Sequence, residues 1–144
     1  MSSDEAMRRL RQLTMRRNIF TTRVTIVISG TDMMVYDAET NAVMEQFPLS
    51  MIYRPTAVTS DTAGDMYNNV VVLIVLGDEQ QMAPEVHIFQ CLKQRASTLL
   101  VLLALCVNFF LLCLAGGSTI FNRGLPCPYI LSWIQMLIQV VIKI

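Results

Sequence analysis

Asn69–Leu76 has the sequence NVVVLIVL, a continuous run of β-branched and aliphatic residues. A short apolar run of this kind, with no polar residue at alternate positions, is typical of a buried core strand. Further along the chain, Glu85–Cys91 (EVHIFQC) alternates apolar and polar residues, which predicts a second strand. The two segments together predict the centre of a β-sheet.

Four more strands are predicted upstream of this centre. Their bounds are Phe20–Ile28, Met33–Asp37, Ala42–Phe47 and Met51–Val58. The first has Val24, Ile26 and Ile28 on one face, and tight polar turns connect it to the two strands that follow. Pro55 interrupts the last of the four, and because proline cannot donate to a ladder, this segment is predicted to be an edge strand.

A short amphipathic helix precedes the strands. Ser2 and Glu5 have the spacing of a capping box, and Ala6, Leu10 and Leu13 form an apolar stripe at helical spacing. One helix and six short strands, without alternating β–α–β units, predict an α+β fold built on an antiparallel sheet or a partial barrel.

Composition divides the chain into two unlike parts. The 144 residues are enough for one domain, and all eleven Asp and Glu residues lie before residue 86. Residues 1–95 carry nearly balanced charge, which argues against a nucleic-acid binder. Residues 96–144 contain only two charged side chains, Arg123 and Lys143.

The second part is hydrophobic enough to enter a membrane. Ala96–Ala115 is a run of twenty residues in which Asn108 is the strongly polar one, and as a helix it would be about 30 Å long, the thickness of a bilayer core. It is therefore predicted to be a transmembrane helix. Lys93 and Arg95 precede it, so the positive-inside rule predicts an amino-terminal domain on the cytoplasmic side of a membrane such as the plasma membrane.

Two further segments complete the predicted organisation. Residues 116–128 are rich in glycine and proline and are predicted to be a loop. Residues 129–144 form a second apolar segment, whose uncharged run of fourteen residues, Tyr129–Ile142, is short for a span. It is interpreted as a re-entrant or interfacial helix, or as a strained second crossing.

Nothing in the sequence supports catalysis or metal binding. The four cysteines lack metal-ligand spacing and are interpreted as small buried hydrophobic residues, with Cys91 a candidate for palmitoylation. His87 has no acid–base partner evident in the sequence and is predicted to be an inert strand residue. Neither a nucleophile triad nor a glycine-rich phosphate loop is present, so we expect no enzyme and no cofactor.

Several segments resemble a known signalling family. Val86–Cys91 (VHIFQC) resembles the last strand of phosphotyrosine-binding (PTB) domains. Val35–Asn41 (VYDAETN), Glu45–Ile52 (EQFPLSMI) and Ala6–Leu13 (AMRRLRQL) resemble, in order, segments of the epidermal growth factor receptor kinase substrate 8 family. The resemblance covers about residues 6–91.

The resemblance implies a PH/PTB-like sheet sandwich that binds an extended peptide beside its fifth strand. The matching positions are Ile52, Tyr53, Arg54, Thr56, Ala57 and Val58. It implies a non-enzymatic adaptor that binds cytoplasmic peptides of receptors or other adaptors, in receptor tyrosine kinase and Rac/actin cytoskeleton signalling. The family's first strand and its carboxy-terminal helix have no counterpart in the resemblance, which predicts an incomplete domain over residues 1–95.

A cluster of arginines on the predicted helix and just after it is a candidate contact for acidic phospholipids. Its members are Arg8, Arg9, Arg11, Arg16 and Arg17. A solvated helix face explains the same pattern. Arg54 could pair with an acidic or phosphorylated ligand, because guanidinium groups bind phosphate in a bidentate manner, or it could be an ordinary surface residue.

Three alternatives stay open. The chain could be a membrane-anchored structural protein whose truncated domain cannot bind peptide. The tail could be an aberrant carboxy terminus joined near Cys91, where the resemblance ends. Ala96–Ala115 could also fold back to replace the missing helix, although its apolar residues lie all round, so one face would remain exposed.

Overall fold

The structure, a computed structural model, describes residues 2–17, 19–29, 31–77, 83–115 and 134–143, with side chains described as far as Cys106. The elements in chain order are α1 (Ser3–Met15), β1 (Arg23–Ile28), β2 (Asp32–Asp37), β3 (Val43–Pro48), β4 (Ile52–Val58), β5 (Val70–Val75), β6 (Glu85–Cys91), α2 (Ala96–Ala115) and β7 (Ile134–Lys143). A 3-10 turn at Leu49–Met51 joins β3 to β4. The predicted helix and each of the six predicted strands occur within a few residues of their expected bounds.

The strands form one antiparallel sheet in the order β3-β2-β1-β7-β6-β5-β4. Strands β1 to β3 and β4 to β6 make two three-stranded groups, and side chains from both groups enter one core. The sheet must therefore fold over on itself to bring the groups face to face. β4 lies at one end of the order, as Pro55 predicted for an edge strand.

β5 explains why its sequence is apolar at every position. Val71 and Leu73 point into the core shared with β1 and β2, whereas Val70 and Val72 point the other way, into a second cluster with α1. Successive side chains of a strand face opposite sides. Because β5 is covered on both sides, it has no position for a polar residue.

α1 covers the outer face of β5 and β6. The Glu5 N–H donates to Ser2 Oγ (3.2 Å), which caps the helix as its sequence predicted. Ala6, Met7 and Leu10 are buried against the sheet. The helix therefore contributes its apolar face to the domain and leaves its arginine-rich side exposed.

α2 has the bounds predicted for a transmembrane helix, but it packs within the domain. Ala96, Leu99, Leu103 and Cys106 are buried in the same core as β1, β2 and β5. Their spacing places them on one helix face. Over the residues whose side chains are described, which end at Cys106 in this helix, no helix meets the length and hydropathy that a membrane span needs.

The prediction of a transmembrane helix is therefore corrected: the apolar residues of the first three turns cover the sheet. Residues after 95 thus share a core with the strands that precede them. Of the three alternatives, the structure agrees with the one in which this segment folds back. Val101 and Leu105 are exposed on the outer face of the helix. Because this face is also apolar, the sequence has no amphipathic pattern that would indicate packing against a sheet.

The second apolar segment contains a strand, and no helix is found over its described residues. β7 pairs with β1, for example Ile138 with Val24, and with β6, for example Ile138 with Cys91. By hydropathy alone, an apolar run of this length fits a helix or a strand equally well. Here the segment is a strand, because it can form backbone hydrogen bonds with β1 on one side and β6 on the other. The predicted loop at 116–128 and residues 129–133 lie outside the described residues.

Candidate functional site

Among the strands that the structure describes, none pairs with β4 on the side away from β5. The Leu76 N–H donates to the Met51 carbonyl oxygen (2.9 Å), so the backbone groups of Met51 face β5. In an antiparallel pair, the direction of the backbone groups alternates from residue to residue. The N–H and C=O of Ile52 therefore face away from β5, toward the open edge.

The same reasoning applies to the second half of β4. The Cys91 N–H donates to the Asn69 carbonyl oxygen (2.9 Å), so the backbone groups of Val71 face β6 and those of Val72 face β4. Val72 pairs with Thr56, and Val71 with Ala57. The backbone N–H and C=O of Thr56 therefore face β5, and those of Ala57 face the open edge.

A bulge separates the two halves of this edge. The register shifts between Tyr53 and Thr56, and Arg54 has a φ of 44°, in the left-handed region. The Thr56 hydroxyl donates to the Arg54 carbonyl oxygen (3.1 Å). Pro55 has no N–H to offer, so a partner strand could pair with Ile52 on one side of the bulge and Ala57 on the other.

The six predicted peptide-contact residues all lie on β4 or its bulge, but their side chains face different surroundings. Ile52 and Ala57 are partly buried against the core, whereas Tyr53 and Arg54 are exposed. The Arg54 guanidinium lies 5.0 Å from the centre of the Tyr53 ring, a cation–π contact. This exposed pair gives the edge a flat aromatic and cationic surface.

α2 lies beside this edge and provides a second wall. It contacts β4, β5 and the turn at Leu49–Met51. Leu99 and Leu103 are buried in the core against which Ile52 and Ala57 pack, and Leu102 is partly buried on it. The expected absence of a carboxy-terminal helix therefore does not hold, because α2 occupies a place beside the edge strand.

Asn69 holds the start of α2 against the sheet. Its Nδ2 donates to the carbonyl oxygens of Cys91 (2.7 Å) and Gln94 (2.6 Å), and its Oδ1 accepts from the Ala96 N–H (2.6 Å). Asn69 has a φ of 64°, a left-handed conformation that asparagine tolerates better than most residues. Sequence reasoning missed this role, because the residues that Asn69 bonds lie more than twenty positions away.

His87 is also more than an inert strand residue. Its ring is fully buried, with Nδ1 3.3 Å from Glu45 Oε2 and Nε2 3.4 Å from Glu85 Oε2. The Phe47 ring lies 4.6 Å from the imidazole, centre to centre. No acid–base partner of His87 was evident in the sequence, and the structure places two carboxylates beside its ring. Glu85 could have been suspected from sequence, since it lies two positions away on the same strand face, but Glu45 belongs to the distant β3.

The arginines predicted to contact lipid lie on or directly after α1. All five are exposed, and one of them, Arg11, pairs with Asp65 (3.3 Å). The Tyr67 N–H, the Ser60 hydroxyl and Arg11 lower the pKa of the Asp65 carboxyl below its usual value.

α1 and α2 cover opposite faces of β5, so a flat membrane surface could not contact both helices at once. Phospholipid binding by these arginines stays a prediction.

The two described cysteines are buried. Burial raises the pKa of the Cys91 thiol to about 11 and also raises the pKa of the Cys106 thiol. Buried thiols of this kind are weak nucleophiles. Among the side chains that the structure describes, no group of three or more histidine, cysteine or acidic residues could hold a metal ion.

Comparison with known proteins gives a consistent result. The family model of the phosphotyrosine-binding domain matches residues 2–105. Epidermal growth factor receptor kinase substrate 8-like protein 2 from Homo sapiens is 30% identical over 90 residues, which cover 62% of this chain and 12% of that protein, and the protein of the same name from Pongo abelii gives the same figures. The chain thus spans about an eighth of these relatives. No solved structure matches the chain significantly.

Proposed function

The chain belongs to the phosphotyrosine-binding domain family, and on this premise we propose that it binds an extended peptide by strand addition to β4. The peptide backbone pairs with the outward-facing groups of Ile52 and Ala57, and its side chains lie between β4 and α2. Strand addition takes its affinity from main-chain hydrogen bonds and its specificity from pockets for alternate side chains. The chain acts as a recognition module, and its partner is the cytoplasmic tail of a receptor or another adaptor.

One observation carries this proposal: the sheet ends at a strand whose backbone groups are open beside a packed helix. An exposed strand edge attracts a partner strand. The contact of α2 with β4 supports this proposal over the alternative of a truncated domain that cannot bind peptide.

The wider biological role follows from the relatives. They are named as proteins like a substrate of the epidermal growth factor receptor kinase. We extend this to the present chain as an adaptor role in receptor tyrosine kinase signalling to the Rac-controlled actin cytoskeleton. Because the chain covers 12% of those proteins, this part of the proposal rests on the shared domain alone.

Proline substitutions on the two edges of the sheet test strand addition. Ala57→Pro removes an outward-facing N–H from β4. Val43→Pro is the matched control on the opposite edge: the Asp37 N–H donates to the Ala42 carbonyl oxygen (2.9 Å), so the backbone of the next residue, Val43, faces away from β2. Neither substitution removes a ladder hydrogen bond, and circular dichroism would establish that both variants fold.

The full chain would be titrated with receptor-tail peptides that contain Asn-Pro-x-Tyr, using fluorescence anisotropy. We expect saturable binding that Ala57→Pro weakens at least fivefold, the equivalent of one hydrogen bond of about 1 kcal/mol, while Val43→Pro leaves it unchanged. Absence of saturable binding at millimolar peptide, or equal weakening by both folded variants, would contradict the proposal.

A further inference from the structure

Three exposed apolar side chains, Met15, Phe20 and Met66, form an apolar tip at one end of α1. Met15 is the last residue of the helix, and Phe20 follows it in the connection to β1. Phe20 is 92% exposed, Met15 85% and Met66 66%, and every other large apolar side chain that the structure describes is more covered. Single exposed apolar residues are ordinary on a protein surface, whereas several together indicate a contact surface.

Two contacts hold Met66 at this end of the helix. Its neighbours in the chain are Asp65, whose carboxylate accepts from the Arg11 guanidinium (3.3 Å), and Tyr67, whose hydroxyl is hydrogen-bonded to the Thr14 hydroxyl. Arg11 and Thr14 belong to the carboxy-terminal half of α1. The loop that carries Met66 therefore lies against the part of the helix that ends at the apolar tip.

Arginines lie beside the apolar tip. Arg8, Arg11 and Met15 have the spacing that places residues on one side of a helix, and all three are exposed. Arg16 and Arg17 follow Met15 directly and are also exposed. Cationic and apolar side chains are therefore exposed side by side at this end of α1.

Acidic side chains are few at the same end. Residues 6–31 contain no Asp or Glu, and the two acids of α1 lie in its first turn, at the opposite end of the helix. The loop that carries Met66 has two acids, Asp61 and Asp65, and Asp65 is already paired with Arg11. The arginines outnumber these acids, so the surroundings of the apolar tip carry a net positive charge.

We propose that the apolar tip enters the surface of an acidic lipid bilayer, with the arginines beside it on the lipid headgroups. Apolar side chains are stabilised at the boundary between headgroups and acyl chains, and basic residues close to an anionic surface add attraction. An acidic peptide or a nucleic acid would pair with the arginines but leave the three apolar side chains in water. The contact lies on the other side of the sheet from α2 and requires no peptide at β4.

Vesicle cosedimentation with the full chain tests the role of charge. Vesicles of phosphatidylcholine alone would be compared with vesicles in which roughly a third of the lipid is phosphatidylserine. We expect binding to the acidic vesicles to be at least about tenfold tighter, and added salt to weaken it. Arg8→Gln with Arg16→Gln should weaken binding at least about fivefold, whereas Lys93→Gln with Arg95→Gln, an exposed pair before α2, should change it less than about twofold.

The apolar contribution is tested by Phe20→Ser, with Leu105→Ser on the exposed face of α2 as its control. Phe20→Ser should weaken binding to acidic vesicles at least about threefold without changing the circular dichroism spectrum, and Leu105→Ser should not weaken it. NMR on the methyl-labelled wild-type chain gives a measurement that needs no variant. A spin-labelled lipid in acidic nanodiscs should broaden the methyl signals of Met15 and Met66 but not those of Val101 and Leu105.

Several results would overturn the proposal. They are equal binding to neutral and acidic vesicles, no binding to acidic vesicles at low salt, and broadening at Leu105 in place of Met15. Binding to heparin, a soluble polyanion, that is as tight as binding to acidic vesicles would also overturn it if Phe20→Ser weakens neither, because the arginines alone would then account for the affinity. Failure of receptor-tail peptides to bind β4 would overturn the proposed function and leave this inference standing.

Discussion

At the scale of single residues, Asn69 links three elements of the domain, although it lies just outside a strand. It joins the start of β5, the end of β6 and the first turn of α2 through three side-chain hydrogen bonds. The Asn69 amide therefore adds to the core packing that holds α2 beside β4. The residues that Asn69 bonds follow it by 22 to 27 positions, so no local pattern in the sequence could reveal the contact.

We expect Asn69→Ala to lower the free energy of unfolding by about 2–4 kcal/mol, since it removes a helix cap and two further hydrogen bonds and leaves a non-glycine residue at positive φ. Asn69→Asp retains an acceptor for the Ala96 N–H, but it places a carboxylate oxygen against the carbonyl oxygens of Cys91 and Gln94, so it should also lower stability. Urea denaturation measures both. A change below about 0.5 kcal/mol for Asn69→Ala would contradict this role.

Asp65 gives a second prediction, which concerns pH. Its pKa is lowered, first by the Tyr67 N–H and also by the Ser60 hydroxyl and Arg11, so the folded state favours the charged carboxylate. The stability that Asp65 contributes is present above the pKa of the unfolded chain and is lost as the pH falls through the lower folded value. The difference in stability between the wild type and Asp65→Asn should therefore be largest near pH 7 and shrink toward about pH 2.

Urea denaturation across this pH range tests the prediction. Arg11→Ala serves as the control, because it removes only an exposed ion pair and should cost less than Asp65→Asn. A difference that stays constant or grows as the pH falls would show that the carboxylate is not the stabilising form.

At the scale of elements, local patterns predicted the six strands of the first 95 residues and the first helix, but not the place of α2. Alternation within β1 and the capping pair of α1 are visible in a few adjacent residues. α2 is apolar on every side, because its inner face packs on the sheet and its outer face keeps Val101 and Leu105. Hydropathy alone therefore predicted a transmembrane helix. The composition of an apolar helix does not show whether it is buried in a bilayer or in a protein core.

Thiol reactivity distinguishes these two environments. Cys106 is buried against the sheet, and its pKa is raised by burial, whereas Leu105 is 57% exposed on the same helix. In the full chain at mildly alkaline pH, Cys106 should react with iodoacetamide at least about a hundredfold more slowly than the cysteine in Leu105→Cys, as read by peptide mass spectrometry. Equal rates would show that α2 is not packed on the sheet as described.

At the scale of the whole molecule, β7 is the strand that makes one sheet from two groups. It pairs with β1 on one side and β6 on the other. Sequence reasoning treated its residues as part of a membrane tail, because a pairing between strands more than forty residues apart leaves no local mark. The same limit explains why the resemblance predicted an incomplete domain: it ended at Cys91, whereas the match to the family extends to residue 105.

A proline within β7 should separate the two groups. Ile138 lies opposite both Val24 and Cys91, so whichever side its N–H faces, Ile138→Pro removes a ladder hydrogen bond. We expect a loss on the order of 3 kcal/mol in the free energy of unfolding. Val43→Pro, whose N–H faces open space, should cost far less; equal losses in the two variants would contradict the closure of the sheet by β7.

The most direct test of strand addition is amide hydrogen exchange on the full chain, resolved to single residues by NMR, with and without a saturating receptor-tail peptide. The outward-facing amides of Ile52 and Ala57 should exchange more slowly in the complex, because the peptide backbone accepts their hydrogens. The amide of Val43, which faces open space on the other edge, should be unaffected. Protection that is absent from Ile52 and Ala57 in the bound state, or that appears at Val43 instead, would contradict peptide binding at β4.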